Sequence, residues 1–347
     1  MVRIAVVGAG RWGERVLRAL GRLPEARVSW IIDRDPSRLA AVGRLFPAAR
    51  AARDFGDALA SDDVDAVVVA APASLHHAMA RDALARGKDV LVEKPLALDV
   101  EQAEELCTAA RAGGLILMVG HVYLFHPAIR YIGERVRSPR FGPVKHLSLT
   151  RAHLGPIRKD VGAVWDLAAH DVAIADHWLG DLPATAAASG FSWLAPGRED
   201  LAAIRLRYPG GTRVDIHISW LSPWKTRRAV VLGERGMIAF DELDAVPVRV
   251  YDRSALLGAS RDEPEGSGSR SGQGWAPAGA PVEPLVRECR HFVRCVARRE
   301  RPVASGEHGL AVVRTLAAVE SSLALGGREV PVATRREGRL SAAVSRR

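Results

Sequence analysis

The segment Gly8-Ala9-Gly10-Arg11-Trp12-Gly13 stands directly after the apolar run Arg3–Val7 and opens a helix-period stretch, Trp12–Gly21. Glycines at these three places permit a tight turn, let backbone N–H groups approach a pyrophosphate, and set that anion at a positive helix end. Asp33 closes the next apolar run, 20 residues beyond Gly13, where a carboxylate can bind an adenosine ribose. A turn kept for packing alone leaves Asp33 unexplained, whereas a dinucleotide site accounts for both. The negative charge of Asp33 opposes a 2′-phosphate and favours NAD; Arg34 beside it could instead pair with that phosphate, which leaves NADP as the second choice.

The first third continues the same rhythm. Apolar runs at Arg3–Val7, Arg27–Ile32, Asp65–Ala70, Asp89–Val92 and Leu115–Val119 alternate with helical patterns at Trp12–Gly21, Pro36–Leu45, Leu75–Ala85 and Val100–Arg111. Unbroken Val/Ile/Leu strands separated by amphipathic helices predict an α/β fold, a doubly wound parallel-sheet (Rossmann) domain over residues 1–120. Beyond it, longer alternating runs appear, among them Val144–His153, Ala184–Trp193, Leu201–Tyr208, Thr212–Ser219 and Arg227–Leu232. They predict a second, α+β domain over 121–333 with an open, mainly antiparallel sheet. One helix is expected within it at Val164–Leu179 and two at its end, Glu283–Arg298 and Ser305–Leu325. The Gly, Ser and Pro content of 263–281 predicts a flexible loop, and the Arg-rich stretch 334–347 a disordered tail.

Several function classes are excluded at this level. The net charge of +9 falls wholly in residues 120–347, with no dense basic stripe interleaved with aromatics, so nucleic acid is not an expected partner. No apolar stretch approaches the ~18 residues of a membrane span, and the amino-terminal residues lack a signal layout. Three scattered cysteines, Cys107, Cys289 and Cys295, suit a reducing cytoplasm and neither a disulfide framework nor a zinc knuckle. His76, His77 and His177 have no metal-ligand spacing, and no metal site is expected.

Three constellations carry candidate chemistry. Glu93-Lys94-Pro95 follows the fourth apolar run, at the sheet edge where doubly wound folds bind ligands; a lysine there can polarise a hydroxyl or carbonyl. In Trp165-Asp166-Leu-Ala-Ala-His170-Asp171, Asp166 and His170 are four apart and share a helix face. A carboxylate so placed can orient an imidazole as a general base, although an exposed charge pair has the same spacing. At the domain junction, Gly120-His121-Val-Tyr123-Leu-Phe125-His126-Pro127 offers aromatics either for packing or for lining an inter-domain cleft.

Taken together, Gly8–Gly13, Asp33, Ala71-Pro72 with His76, Glu93-Lys94-Pro95, Asp166 and His170 resemble the glucose–fructose oxidoreductase / inositol dehydrogenase / rhizopine-catabolism (Gfo/Idh/MocA) family over roughly residues 2–333. The stretches Leu154–Asp171 and Val282–Phe292 look like a sugar-modifying subgroup. The resemblance implies hydride transfer from a secondary alcohol of a sugar or cyclitol to NAD, with His170 as base, Lys94 stabilising the alkoxide and Asp166 orienting the imidazole. It also implies cofactor contacts at Ala71, Pro72, His76, Glu93 and Lys94, and substrate contacts at Lys94, His121, Tyr123, Arg158, Trp165 and His170. A homodimer or homotetramer through the second-domain sheet is implied as well. The subgroup suggests oxidation at C3 ahead of amination, as in amino-sugar or aminoglycoside biosynthesis. A primary-metabolic nucleotide-sugar or cyclitol dehydrogenase, a redox-neutral glycosidase and a non-catalytic dinucleotide sensor are the alternatives. Two departures bear on substrate: Val161-Gly-Ala-Val164 replaces a triple glycine, and Tyr123 stands where many members carry arginine.

Overall fold

A strand that is apolar on both faces is stable only in a sheet covered on both sides. The computed structural model describes residues 1–155, 157–158, 160–194, 196–252, 272–277 and 282–333. It places six such strands, β1 (Val2–Val7), β2 (Ala26–Ile32), β3 (Arg50–Ala52), β4 (Ala66–Val69), β5 (Asp89–Glu93) and β6 (Leu117–Gly120), in one parallel sheet. The order β3-β2-β1-β4-β5-β6 reverses between β1 and β4, the switch point at which doubly wound sheets take ligands. Helices α1 (Arg11–Leu20), α2 (Pro36–Gly43), α3 (Phe55–Leu59), α4 (His76–Ala85) and α5 (Val100–Ala112) link the strands. Asp35, Asp54 and Asp99 start α2, α3 and α5 by accepting hydrogen bonds from otherwise unpaired first-turn N–H groups. The periodicity reading did not find β3 or α3, which are too short to show a period.

The chain then forms α6 (Pro127–Val136), which the sequence reading did not anticipate, and enters β7 (Val144–Leu154). A π-helical turn, Val164–Ala168, runs into α7 (Ala169–Leu179). Strands β8 (Thr185–Phe191), β9 (Leu201–Arg207), β10 (Arg213–Ser219), β11 (Leu221–Gly233), β12 (Gly236–Asp241), β13 (Val248–Asp252) and β14 (Gln273–Trp275) follow. Helices α8 (Pro284–Arg298) and α9 (Gly306–Ala324) and the short β15 (Val330–Pro331) complete the described fold. Among the described residues the second sheet has nine strands in the order β14-β13-β12-β11-β7-β10-β9-β8-β15, antiparallel except for the β7/β10 pair. The β9–β10 hairpin turns at Pro209-Gly-Gly211, with Gly210 and Gly211 at φ +77° and +87° as that turn requires. Within the stretch read as a loop, Gln273–Trp275 is strand, and Trp275 stacks on Tyr131 at 4.3 Å between ring centroids. The rest of 263–281, apart from residues 272–277, and the tail 334–347 lie outside the described residues.

The two sheets are joined twice. After the junction at β6, the chain returns through α8, whose Leu285, Val286, Cys289, Phe292, Val293 and Val296 share one core with Ile4, Val16, Leu17 and Leu20 of β1 and α1. The N–H of Val119 donates to Ala304 O at 2.8 Å, and Arg299 bonds both Asp89 and Gly114 O at 2.5 Å. The cleft between the domains is therefore framed by two chain crossings.

Asp176 on α7 is buried, with one carboxyl oxygen accepting from Tyr208 Oη at 2.6 Å and the other without a partner. Burial pushes its carboxyl up to about 7. The protonated form thus stabilises the fold, and that contribution is lost as pH rises from the ordinary carboxyl range through 7. Asp176→Asn is expected to gain stability relative to the parent between pH 4 and 7 and to keep a constant advantage above; urea unfolding at stepped pH measures it.

Candidate active site

A cleft of about 1370 Å³ opens at the carboxyl ends of the parallel strands and extends beneath the second sheet. Gly8, Gly10, Arg11, Trp12, Asp33 and Arg34 line one end; Lys94, Tyr123, Arg158, Asp166 and His170 line the other.

The glycine turn is shaped by contacts that exclude a side chain. Gly8 sits at φ +95°, and a Cβ there would lie 2.4 Å from Ala70 O; a Cβ at Gly13 would lie 1.8 Å from Gly8 O. At Gly10, by contrast, a Cβ would meet only Arg38 Nη1 at 3.5 Å, so the middle of the turn is an open cradle. The Ala9 N–H donates to Asp33 Oδ2 at 2.7 Å and the Asp35 N–H to Oδ1 at 2.9 Å, bracing the carboxylate at the edge of the turn. Further along, Trp12 Nε1 and Glu93 Oε1 are buried polar atoms with no partner, and burial pushes the Glu93 carboxyl up to about 7. An open cradle, a braced carboxylate and orphaned polar atoms along one wall fit a dinucleotide. Asp33→Ala is expected to weaken NAD binding several-fold and NADP binding less; titration of both cofactors against protein fluorescence measures the difference.

Ala71, Pro72 and His76 also line the cleft. His76 is buried, with Nδ1 2.7 Å from Pro95 O and Nε2 2.9 Å from Ala71 O, so it clips the turn after β4 to the one after β5. That clip fixes the backbone beside Lys94.

At the other end, Lys94 Nζ donates to Asp166 Oδ1 at 2.9 Å and to Asp166 O at 2.6 Å. Trp220 Nε1 donates to Asp166 Oδ2 at 3.2 Å, and Arg158 approaches Oδ1 at 3.6 Å. Burial alone would raise the Asp166 carboxyl; Lys94 and Arg158 outweigh it and hold it below the usual range. Both carboxylate oxygens are thereby engaged away from His170. The expected Asp166–His170 contact is corrected: Asp166 serves Lys94. The reason is the π-helical turn Val164–Ala168, which breaks the α-helical spacing on which the i,i+4 argument depends.

His170 lines the cleft, while its Nδ1 is buried without a partner. Burial, and then the positive charges of Lys94 and Arg151, keep its ordinary form neutral, well below the usual imidazole range. Its neighbour is Tyr123, edge-on at 5.1 Å between centroids. Tyr123 in turn lies under the Arg151 guanidinium at 4.2 Å and donates from Oη to Glu242 at 3.2 Å. Arg151 is clamped by Asp171, Nε to Oδ2 and Nη2 to Oδ1, both at 2.8 Å, with both side chains only 4% exposed. The sequence reading missed Arg151 and Glu242; the signal it had was Asp171, a charge next to His170 on a helix otherwise buried.

Two candidates fall elsewhere. His121 is buried behind the cleft wall, and Trp165 is buried with its indole N–H on Glu320. Neither is among the lining residues, because the turn after β6 directs Val122 and Tyr123 into the cleft and the π-turn directs Trp165 toward α9. Arg158 does line it, tied to Asp160 by Nε to Oδ1 at 2.9 Å and Nη2 to Oδ2 at 2.5 Å. Among the described residues no group of three or more His, Cys, Asp or Glu is placed to hold a metal, and no helix is long and apolar enough to cross a membrane.

A β3-β2-β1-β4-β5-β6 parallel sheet, a glycine cradle at its switch point and a Lys/His pair across the cleft define a dinucleotide-dependent oxidoreductase. The family model described as oxidoreductase family, NAD-binding Rossmann fold, matches residues 2–121, and that of the GFO/IDH/MocA C-terminal domain matches 129–239. The chain belongs to the Gfo/Idh/MocA oxidoreductase family. It is 28% identical over 260 residues to the UDP-N-acetylglucosamine 3-dehydrogenase of Acidithiobacillus ferrooxidans, covering 73% of this chain and 78% of that one. To the NAD(+)-dependent scyllo-inositol 2-dehydrogenase of Bacillus subtilis it is 27% identical, covering 87% and 88%. The solved structure of GenD2 from gentamicin A biosynthesis, in complex with NAD, superposes with a TM-score of 0.80 at 27% identity over 95% of this chain and 96% of that one. The protein is an NAD-binding enzyme of a family of sugar and cyclitol dehydrogenases.

Proposed function

We propose that the enzyme oxidises a secondary ring hydroxyl of a sugar unit, at C3, in amino-sugar or aminoglycoside antibiotic biosynthesis. The observation that carries this reading is the convergence of Lys94 and His170 on the cleft end opposite the Gly8–Gly13 cradle. The Gly8–Gly13 turn, with Asp33, Ala71, Pro72, His76 and Glu93 along its wall, would hold NAD, which would supply the hydride acceptor. His170 takes the hydroxyl proton. Lys94, held by Asp166, neutralises the alkoxide as it forms, and a positioned cation of this kind is worth roughly 10²–10³ in rate. Tyr123 and Arg158 position the sugar. The C3 assignment and the pathway are supported by the names of the 3-dehydrogenase and GenD2 relatives.

A second reading, oxidation of a nucleotide sugar, is favoured by Lys225 and Arg227, which line the same end of the cleft and suit a diphosphate. The protein is cytoplasmic and acts as a homodimer or homotetramer through the second sheet, whose outward face carries the exposed Val230. Following NADH absorbance with aminoglycoside pseudo-oligosaccharides, nucleotide sugars, free sugars and cyclitols tests the reading. Reduction with the first class supports it, and reduction with nucleotide sugars alone selects the second. NAD retention without net reduction would move the assignment to a redox-neutral glycosidase or a sensor.

A further inference from the structure

The cofactor side of the cleft depends on a turn with no cap of its own. After β4 the chain runs through Ala71 and Pro72, both on the cleft wall, into a single 3₁₀ turn, Ala73–Leu75, and then into α4. The first N–H groups of a helical turn need acceptors from outside it, and a Ser, Thr, Asp or Asn just ahead ordinarily supplies one. Here that place is held by Pro72, whose ring offers no acceptor. The Ala73 N–H donates instead to Asp160 Oδ2 at 3.2 Å, a carboxylate 87 residues further along, in the second domain. His76 holds the Ala71 carbonyl of the same turn, but His76 belongs to the adjoining α4. Asp160 reaches the turn from across the cleft.

The same carboxylate faces the sugar end. Its Oδ1 accepts from Arg158 Nε and its Oδ2 from Nη2, a two-point clasp that fixes the plane of the guanidinium. The remaining nitrogen, Nη1, lies 3.6 Å from Asp166 Oδ1, which accepts from Lys94 Nζ at 2.9 Å. A run of direct contacts thus leads from the Ala73 N–H through Asp160, Arg158 and Asp166 to the Lys94 ammonium. Arg158 holds the Asp160 carboxyl down to about 2, so it stays an ionised acceptor through the neutral range. The two side chains are 29% and 22% exposed, and a partly exposed ion pair of this kind contributes little to stability. A pair that only ordered its own loop would also need no third partner in the other domain.

We propose that Asp160 is a positioning residue that spans the cleft, setting the cofactor-side turn Ala71–Ala73 and the sugar-side Arg158 in fixed relation to each other. The inference rests on the reading of Ala71 and Pro72 as cofactor wall and of Arg158 as a sugar contact. Hydride transfer needs the two reacting carbons in near-attack geometry, and a misplacement of about 1 Å can cost about 10²-fold in rate. With the cofactor on the first domain and Arg158 on the second, that geometry depends on contacts that cross between them. Asp160 makes one such contact inside the cleft and acts through the two groups it holds.

Three variants separate the two bonds of the bridge. Asp160→Ala removes both, Asp160→Asn keeps a carbonyl oxygen for the Ala73 N–H but loses the charge that clasps Arg158, and Arg158→Ala leaves the cap in place. Titration with NAD should show binding about fivefold weaker in Asp160→Ala, the loss of one cap, and within about twofold of the parent in the other two. With the sugar that reduces NAD most rapidly in the panel above, KM should rise roughly tenfold in all three, the loss of a charged hydrogen bond. The fall in kcat should be largest in Asp160→Ala. Parental NAD affinity in Asp160→Ala overturns the bridge, and so does equal weakening by Arg158→Ala, since the pair would then merely order its own loop. NAD binding as weak in Asp160→Asn as in Asp160→Ala rejects the cap, and an unchanged KM in Arg158→Ala and Asp160→Asn rejects the sugar side. Urea midpoints equal to the parent's separate these results from misfolding. Should no panel sugar reduce NAD, the functional reading fails on its own, and the contrast in NAD affinity between Asp160→Ala and Arg158→Ala decides the proposal.

Discussion

Replacing His170 with alanine is expected to lower turnover by about 10³–10⁴ while leaving NAD affinity within about twofold of the parent. The rate estimate is the upper part of what a positioned general base contributes. The affinity estimate follows from geometry, since His170 stands with Tyr123 and Lys94 at the cleft end away from the Gly8–Gly13 cradle and Asp33. Steady-state kinetics beside a fluorescence titration of NAD checks both. A parallel collapse of NAD binding would show that His170 supports the cofactor and that the base must be sought elsewhere. The parent enzyme carries a linked pH signature. A base must be neutral to act, and burial with Lys94 and Arg151 holds His170 well below the ordinary imidazole range. The acid limb of kcat/KM assigned to this residue should accordingly lie below pH 6.5.

The second large effect is on stability. Asp171→Ala leaves the Arg151 guanidinium buried with its two 2.8 Å bonds gone, and breaking a buried ion pair from one side costs about 3–5 kcal/mol. Much of that cost is the stranded charge itself. The double replacement Arg151→Met with Asp171→Leu should regain most of the stability measured by urea unfolding, since it removes both charges at similar volume. It should not regain turnover, because Arg151 also fixes the Tyr123 ring that lies against His170. Equal destabilisation by the single and the double replacements would show that the pair contributes through packing rather than through charge.

The parts of this site that could be read from the sequence are those where chemistry and local geometry coincide. Gly8, Gly10 and Gly13 sit in a strand–turn–helix, and Lys94 follows a buried strand, so their places follow from the pattern around them. Asp166 was legible as a site residue but not its partner, because the i,i+4 rule presumes an α-helix and the chain there winds as a π-turn. His121 was misplaced for a related reason: adjacency to Gly120 says that it is near the cleft and nothing about which way the ring turns. Arg151 was overlooked although it lies in phase with Leu147 and Leu149 on the buried face of β7, where an arginine needs a partner; Asp171 supplies it from a helix 20 residues away.

The return of α8 onto β1 and α1 bears on how this enzyme is made. Ile4, Leu17 and Leu20 are synthesised about 270 residues ahead of Leu285, Phe292 and Val293, which cover them. At ~5–20 residues per second, that face of the growing chain waits tens of seconds for its cover. The arrival of α8, more than any local helix or strand, sets the moment at which the glycine cradle acquires a rigid support.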